Sequence, residues 1–318
     1  MTLKWIKALT LVAAGMAATA APAQDWTPPG PVTFMIGFRA GGGADTLGRI
    51  LAQELSERHG WDIIPQNVEG RGGMAVATKL AEQPADGLAI GISTTNTFSY
   101  DMEAARDRSL SRDDFTFLST LTGSQMGIVA RTDRNWQTLA DVIEAAKAGQ
   151  RITIGVLNQQ TADATYLLGQ GNDVEFTPVM VKGGRDALNA VVAGDLDMAW
   201  AAGIQAAGVK SGDIVNLASA EDRPLKTSPE APLLSDFNVP YTSLGASFIV
   251  VGPSGLPDEI AETYASHIAE ILSDPESPVH AMTDRIFSGP EIVQLGALDD
   301  MLRKRTEEAQ TLLRASSE

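Results

Sequence analysis

The chain of 318 residues has no cysteine and only three histidines. Without cysteine there is neither a disulfide framework nor a residue to carry an N-terminal lipid, so the fold must be stabilised by core packing. The sequence also has no G-x-S-x-G elbow and no H-E-x-x-H motif, and it gives little support for catalysis. Because His59, His267 and His280 lack the spacing of metal ligands, we expect no metal site and no cofactor.

Long apolar runs are scarce too, and the clearest one is at the N-terminus. An apolar stretch over residues 8–20 follows Lys4 and Lys7 and precedes Ala21-Pro22-Ala23. This order is typical of a secretory signal peptide, so we predict cleavage after Ala23 and an exported, soluble mature protein. No later stretch approaches the roughly 20 apolar residues that a membrane span requires.

Basic residues are few relative to acidic ones. Removing Lys4 and Lys7 from the 24 basic residues leaves 22 against 40 acidic residues, a formal charge of −18. Such a surface repels nucleic acid and anionic lipid headgroups, so we expect neither as a partner. It repels anionic ligands as well, but ionic screening limits that repulsion to about 8–10 Å. An anion site on this protein must therefore depend on local hydrogen-bond donors.

The most informative segment that is present is a run of three glycines between a strand and a helix. Gly41-Gly42-Gly43 follow the predicted strand 32–38 and precede a helical pattern that begins at Leu47. Glycines let the backbone turn sharply and bring its N–H groups close to a ligand, and a helix N-terminus adds donors and a positive dipole end. The segment predicts an anion-binding loop. A tight turn without a ligand is the alternative.

Strand-length apolar runs alternate with helical periods along the chain, which predicts α/β sheets. The first series has strands at 32–38, 63–64 and 88–93 and helices at 47–59 and 74–83. After Gly123 a second series has strands at 127–131, 152–156, 176–181, 197–201 and 214–218, and a return strand follows at 247–251. We predict two lobes around a cleft, with residues 24–123 and 246–318 in lobe 1 and residues 124–245 in lobe 2.

The order of five segments resembles a known receptor family. The segments are PVTFMIGFRAGGGAD, NVEGRGG, EQPADGLAIGIST, VKGGRDALNAVVAGDLDMAW and VGPSGLP. Over essentially the whole mature chain the sequence resembles the solute receptors of tripartite tricarboxylate transporters, often called the Bug family. The resemblance implies an α/β fold of the type II periplasmic binding protein kind and a monomeric periplasmic receptor. It further implies a small organic carboxylate as ligand, a membrane permease as partner, and no enzymatic activity.

The resemblance also implies a ligand site on the loops that follow the strands. In lobe 1 the matching residues are Gly41, Gly42, Gly43 and Asp45, then Gly70, Gly72 and Gly73, then Ser93 and Thr94. In lobe 2 they are Lys182, Gly183 and Gly184. Phe38, Arg39, Ala40, Ala44, Arg71, Asn158, Gln159 and Thr161 lie in the same loops and complete the expected ligand-binding set.

Three places depart from the family pattern. Arg39-Ala40 stand where Ala-Pro is usual, Arg71 stands between glycines where a small residue is usual, and residues 158–161 replace a Ser/Gly-rich loop. Arginines in two separate anion loops favour bidentate contact with carboxylates. We therefore expect a di- or tricarboxylate or an aromatic acid. The alternatives to ligand contact are that the two arginines are solvated, that Lys182 is a surface lysine and that Asp45 is an N-cap.

Two other functions compete with transport. A dinucleotide-dependent enzyme also has a strand, a glycine run and a helix, but it requires an acidic residue at the end of the second strand. This chain has Pro65-Gln66-Asn67 there. A ligand-sensing receptor for a signalling system would use the same closing lobes, and the sequence leaves that alternative open.

Overall fold

A computed structural model of the protein describes residues 26–105, 109–241 and 243–316. The predicted signal peptide and its cleavage site lie outside the described residues. The strands are β1 (Val32–Ile36), β2 (Ile63–Asn67), β3 (Ala89–Thr94), β4 (Phe115–Gly123), β5 (Met126–Arg131), β6 (Ile152–Val156), β7 (Phe176–Met180), β8 (Met198–Ala202), β9 (Ile214–Ser219) and β10 (Ser247–Pro253). The helices are α1 (Gly43–His59), α2 (Met74–Ala81), α3 (Met102–Ala104), α4 (Leu139–Lys147), α5 (Gln159–Gly171), α6 (Gly184–Ala193), α7 (Ala206–Ser211), α8 (Asp258–Ser273), α9 (Pro278–Ile286) and α10 (Leu295–Ala315).

The strands form two five-stranded sheets. Sheet 1 has the order β2-β1-β3-β10-β4, and sheet 2 has the order β7-β6-β8-β5-β9. In sheet 1, β1 is parallel to β2 and β3, whereas β10 is antiparallel to β3 and β4. In sheet 2, β6 is parallel to β7 and β8, whereas β5 is antiparallel to β8 and β9. The predicted α/β architecture is confirmed, but each sheet is mixed, because β5 and β10 enter their sheets directly from the other one.

The chain passes between the sheets twice, and the two crossings are bonded to each other. The first is the short link Ser124-Gln125 between β4 and β5, and the second ends at Ala246 before β10. Ser124 N donates to Ala246 O (2.7 Å), and Ala246 N donates to Ser124 Oγ (2.9 Å). Glu221 lies on the second crossing and hydrogen-bonds to the first. Its Oε1 accepts from Ser124 Oγ (2.9 Å) and from Met126 N (2.6 Å).

Helices cover both faces of sheet 1, which is why its strands are continuous apolar runs. Phe34 and Ile36 pack with α1 and α8 on one face, while Met35 between them packs with α2 on the other. Such two-sided burial is typical of parallel α/β sheets. No helix in the described part of the chain has the length and apolar character to cross a membrane.

The last helix connects the two lobes. Leu298 and Leu302, near the start of α10, are buried in the core of sheet 1. Ala309 and Leu312, near its end, are buried in the core of sheet 2. We predicted that residues 246–318 belong wholly to lobe 1, but the end of α10 also packs on lobe 2. The lobe boundaries at 123 and 246 stay a prediction.

Candidate functional site

The predicted loops lie where parallel strands end, at one edge of each sheet. β1, β2 and β3 end at the loops that carry the glycines and Thr94, and β6, β7 and β8 end at the corresponding loops of lobe 2. β10 begins beside the end of β3, and β5 begins beside the end of β8. Both crossings between the sheets therefore lie at these edges. It follows that the two sets of loops flank the space between the sheets. Ligands of open α/β sheets bind at such edges.

The first loop presents the N-terminus of α1. Gly41 has a positive φ of 77°, which glycine adopts without strain, and Gly42 is the N-cap. Helix geometry leaves the N–H groups of residues 43–45 without an intrahelical acceptor. No other acceptor meets them in the described part of the chain. The three glycines and Ala40 are exposed, whereas Ala44 and Asp45 are buried, so this end of the helix is open to a ligand at Gly43.

Asp45 organises this loop from behind. It is the third residue of α1, so the N-cap alternative is wrong, and its side chain is buried. Its Oδ2 accepts from Gly41 N (2.9 Å), while its Oδ1 accepts from Arg49 Nε (2.9 Å) and Asn67 Nδ2 (2.8 Å). Asn67 Nδ2 also donates to Phe38 O (3.0 Å). Burial acts to raise the pKa of Asp45, but the hydrogen bonds from Gly41 and Asn67 and the charge of Arg49 lower it. Both oxygens of an ionised Asp45 thus serve the loop.

The second loop is a tight turn in which glycine is required. Arg71, Gly72 and Gly73 have φ of 46°, 66° and 98°. A Cβ on Gly73 would lie 2.0 Å from Ser93 Oγ and 2.7 Å from Thr97 Oγ1. Thr97 Oγ1 donates to Gly72 O (2.6 Å) and shares a hydrogen bond with Ser93 Oγ (2.7 Å). Ser93 is fully buried, so it supports the loop from below, whereas Thr94 is half-buried at the strand end.

A half-buried carboxyl group lies behind the same loop. A Cβ on Gly72 would lie 2.6 Å from Asp101 Oδ2. Burial raises the pKa of Asp101 to about 7. Both protonation states are therefore populated near neutral pH, next to a loop expected to bind an anion. The sequence prediction did not include Asp101.

Three exposed cations stand on the predicted loops. Arg39, Arg71 and Lys182 lie on the first loop, the second loop and the loop before α6, and all three are exposed. Within the described ranges, no hydrogen bond or ion pair involves these three side chains. Their charged groups are consequently available to a ligand.

The first loop of lobe 2 uses its side chains to cap its own helix. Asn158 is the N-cap of α5, and its Oδ1 accepts from Thr161 N (3.0 Å). Thr161 Oγ1 accepts from Leu157 N (2.9 Å) and Asn158 N (3.1 Å), and Thr161 is buried. Gln160, which the prediction omitted, reaches the other lobe, because its Oε1 accepts from Asn96 Nδ2 (2.7 Å).

A second contact between the lobes involves Asp163 on α5. Its Oδ1 accepts from Gln159 Nε2 (2.7 Å), and its Oδ2 accepts from the hydroxyl of Tyr100 in lobe 1. Burial and the neighbouring Asp163 raise the pKa of Tyr100, so its hydroxyl stays a donor. The predicted ligand residue Gln159 thus has its amide group engaged by Asp163.

The second loop of lobe 2 presents another helix N-terminus. Gly183 is the N-cap of α6, and a Cβ there would meet nothing within 4 Å. Ala187 N donates to Gly183 O (3.0 Å), so the N–H groups before it have no intrahelical acceptor. A Cβ on Gly184 would lie 3.2 Å from Cγ2 of Ile204, an exposed side chain just beyond β8.

Three phenylalanines that lie far apart in the sequence meet beside the first loop. Phe248 lies 6.1 Å from Phe38 and 5.3 Å from Phe287, between ring centroids. The ring of Phe287 would be 3.2 Å from a Cβ on Gly43 and 3.9 Å from a Cβ on Gly203 of lobe 2. Of the three, only Phe38 was predicted, since no motif marks the other two. They place a cluster of aromatic rings, of which Phe287 is buried and the other two are half-buried, next to the N-terminus of α1.

Comparison with known proteins gives a family. A sequence model described as "Tripartite tricarboxylate transporter family receptor" matches residues 47–286. The protein BugT of Bordetella pertussis is 25% identical over 275 residues, which cover 80% of this chain and 81% of BugT. A protein of Agrobacterium vitis is 26% identical over 264 residues, which cover 80% of this chain and 75% of that protein.

Three solved structures, one of them a periplasmic binding protein, share the fold. The periplasmic binding protein BugD has a TM-score of 0.76 and 19% identity, with 91% of this chain and 98% of BugD covered. A protein of R. palustris solved with adipate has a TM-score of 0.77 and 23% identity, with coverage of 92% and 99%. MatC of Rhodopseudomonas palustris, solved with bound malate, has a TM-score of 0.74 and 19% identity, with coverage of 90% and 99%. These likenesses show the two-lobed fold.

Proposed function

The chain belongs to the family of tripartite tricarboxylate transporter receptors, and we propose that it captures a small organic carboxylate in the periplasm. In this proposal the two lobes close on the ligand, and the closed form is presented to a membrane permease. The protein acts as a monomer, without turnover and without a cofactor. Closure follows from differential affinity, because the ligand contacts loops of both lobes only when the lobes meet.

The observation that carries this proposal is the N-terminus of α1. It combines exposed glycines and N–H groups at residues 43–45 that no acceptor meets in the described part of the chain. Asp45 fixes the turn through Gly41 N. Such an end of a helix binds a carboxylate through main-chain donors and the helix dipole. The N-terminus of α6 offers the same chemistry from the other lobe.

The side chains around this end favour a ligand with more than one carboxylate or with an aromatic ring. Main-chain donors already hold one carboxylate, so Arg39 and Arg71 are most useful for a second acidic group or for stacking on a ring. Phe38, Phe248 and Phe287 form an aromatic cluster nearby, in which Phe38 and Phe248 are half-buried. Two structures that share the fold were solved with malate and adipate, both dicarboxylates. We therefore propose a di- or tricarboxylate or an aromatic acid.

A ligand screen tests the proposal. Purified protein comprising residues 24–318 is melted in the presence of mono-, di- and tricarboxylates, aromatic acids, amines and neutral sugars. At about 100 times Kd a ligand adds roughly 2.7 kcal/mol to native-state stability, which raises the melting temperature by several degrees. We expect a carboxylate to give this shift and to be recovered unchanged. A shift with amines or sugars and with no carboxylate would contradict the proposal.

Export is tested separately. Intact mass of the protein from a periplasmic extract should correspond to cleavage after Ala23, as the leader sequence predicts. A mature form that retains Lys4 and Lys7 would contradict the periplasmic location.

A further inference from the structure

A single helical turn connects the second glycine loop of lobe 1 to lobe 2. Residues 97–101 lie just beyond the end of β3 and form a π-helical turn, in which Asp101 N donates to Asn96 O (2.9 Å), five residues earlier. Such turns are rare and frequently occur at functional sites. Four side chains of this segment form two pairs, each with a spacing of four residues, and each pair contacts a different lobe.

The first pair, Thr97 and Asp101, faces the second glycine loop. Thr97 is fully buried, and its Oγ1 donates to Gly72 O (2.6 Å) and shares a hydrogen bond with Ser93 Oγ (2.7 Å). The carboxyl group of Asp101 lies beside Gly72, where a Cβ would be 2.6 Å from its Oδ2. The position of the loop at Gly72 is therefore tied to the position of the turn.

The second pair, Asn96 and Tyr100, faces the first turns of α5 in lobe 2. Asn96 Nδ2 donates to Gln160 Oε1 (2.7 Å), and both side chains are buried. The hydroxyl group of Tyr100 donates to Asp163 Oδ2. Tyr100 is fully buried and belongs to the apolar core of lobe 2, although β3 before it belongs to lobe 1. Since both its ring and its hydroxyl group are held there, Tyr100 anchors the turn on lobe 2.

We propose that Tyr100 is a positioning residue that couples the shape of the second glycine loop to its own contact with Asp163 in lobe 2. Without the hydroxyl group of Tyr100, Asp163 Oδ2 loses its donor and the turn loses its hydrogen bond to this carboxylate. Because Thr97 belongs to the same turn and holds Gly72 O, the loop then opens more often.

The coupling gives the proposed receptor a link between its lobes. For this use the inference rests on the proposed function, since a loop that lobe 2 keeps ordered binds a carboxylate best when the lobes are together. By thermodynamic linkage, a carboxylate bound at the loop would in turn strengthen the contact of Tyr100 with lobe 2. The coupling itself belongs to the ligand-free chain and is tested without a ligand.

Amide hydrogen exchange of the ligand-free protein, followed by mass spectrometry, tests the coupling. The amides of Gly73 and Ala75 both donate to Gly70 O, so their exchange reports how often the loop opens. Tyr100→Phe removes the donor of the contact between the lobes, and Asp163→Ala removes its acceptor from the side of lobe 2. Each variant should speed exchange of these loop amides about fivefold or more.

Tyr241→Phe is the matched control. The hydroxyl group of Tyr241 also bonds to α5, since it donates to Ala164 O (2.9 Å), but this hydrogen bond lies within lobe 2. Its loss should lower the melting temperature by a few degrees, as Tyr100→Phe does, and leave exchange of the second glycine loop unchanged. The first glycine loop, residues 41–43, is held by Asp45, so its exchange should stay within about twofold of wild type in every variant.

The double variant shows whether one contact carries the effect. Because Tyr100→Phe and Asp163→Ala remove the same hydrogen bond, loop exchange in the double variant should be close to that of the more affected single variant. Unchanged loop exchange in both single variants, or equal acceleration in Tyr241→Phe, would overturn the coupling. The ligand screen decides the proposed function separately, so a protein that binds a carboxylate and shows no loop response in Tyr100→Phe would refute this inference alone.

Discussion

The two lobes build the same kind of sheet edge in different ways. In lobe 1, glycine turns present main-chain donors, and buried side chains such as Asp45 and Thr97 fix those turns from behind. In lobe 2, Asn158 and Thr161 cap their own helix, and Gly183 turns with open space around it. The main-chain donors of lobe 1 therefore lie in turns that require glycine, while the turn at Gly183 in lobe 2 tolerates a larger residue.

The largest expected effect is on stability and contrasts Gly73 with Gly183. Gly73→Ala places a Cβ 2.0 Å from Ser93 Oγ at a φ of 98°. Overpacking and positive φ each cost roughly 1–3 kcal/mol, so the free energy of unfolding should fall by roughly 2–6 kcal/mol. Gly183→Ala meets no atom and should cost at most about 1 kcal/mol, since it changes only an N-cap. Urea unfolding of both variants measures the difference. Similar losses in both would remove the contrast between the lobes.

The next largest effect concerns the exposed cations. A hydrogen bond to a charged group is worth about 1.5–3 kcal/mol, so Arg39→Ala or Arg71→Ala should weaken ligand binding roughly 10- to 150-fold. Lys182→Ala, on the adaptable lobe, should weaken it at most about fivefold, as expected for an exposed charge. Calorimetry with the ligand found in the screen measures all three.

Salt distinguishes direct contact from long-range attraction in these variants. A loss of affinity that persists at high salt indicates contact, whereas one that disappears indicates a screened surface charge. Unchanged affinity in both arginine variants would leave the glycine loops as the carboxylate site and would contradict a role for the added arginines.

The sequence located those elements whose signals are local. Gly60 ends α1 with a φ of 70°, as predicted for a helix stop, and β6 has the predicted bounds Ile152–Val156. Both glycine loops were found because glycine at a strand end has a direct conformational meaning. The start of α1 was predicted four residues late, at Leu47, because the helical period becomes visible only after the exposed glycines.

Features that depend on tertiary contacts were not found. The strand β4 was not predicted, because its polar residues Ser119, Thr120 and Thr122 interrupt the apolar run that indicates a buried strand. In the fold these residues are buried against β10 and the segment before α10. Only in the folded chain does Phe287 lie beside Gly43 and Asn96 donate to Gln160. The same holds for the meeting of His59 with His267, which histidine spacing along the chain does not show.

A smaller effect is expected from pH. Burial raises the pKa of Asp101 from 3.8 to about 7, so the folded state retains a proton that the unfolded state releases. In the free protein the contribution of Asp101 to the free energy of unfolding is therefore full below pH 3.8, falls as the pH rises from 3.8 to about 7, and is gone above that. An anion next to Gly72 binds better when Asp101 is neutral, so affinity should fall between pH 6 and pH 8, at most about tenfold. Asp101→Asn should flatten this dependence, and a slope that the variant retains would assign it to another group.

The smallest effect separates capping from binding in lobe 2. Asn158 caps α5 through its Oδ1, and loss of a cap costs about 1 kcal/mol. Asn158→Ala should therefore lower the free energy of unfolding by that amount, while Asn158→Ser, which keeps a capping oxygen, should not. Both variants lack the amide donor, so a ligand that uses this donor would bind more weakly to both. Because the capping bonds already occupy this loop, we expect affinity within about twofold of wild type in both. Weaker binding to Asn158→Ser at unchanged stability would instead make Asn158 a ligand contact and give lobe 2 a specific side chain of its own.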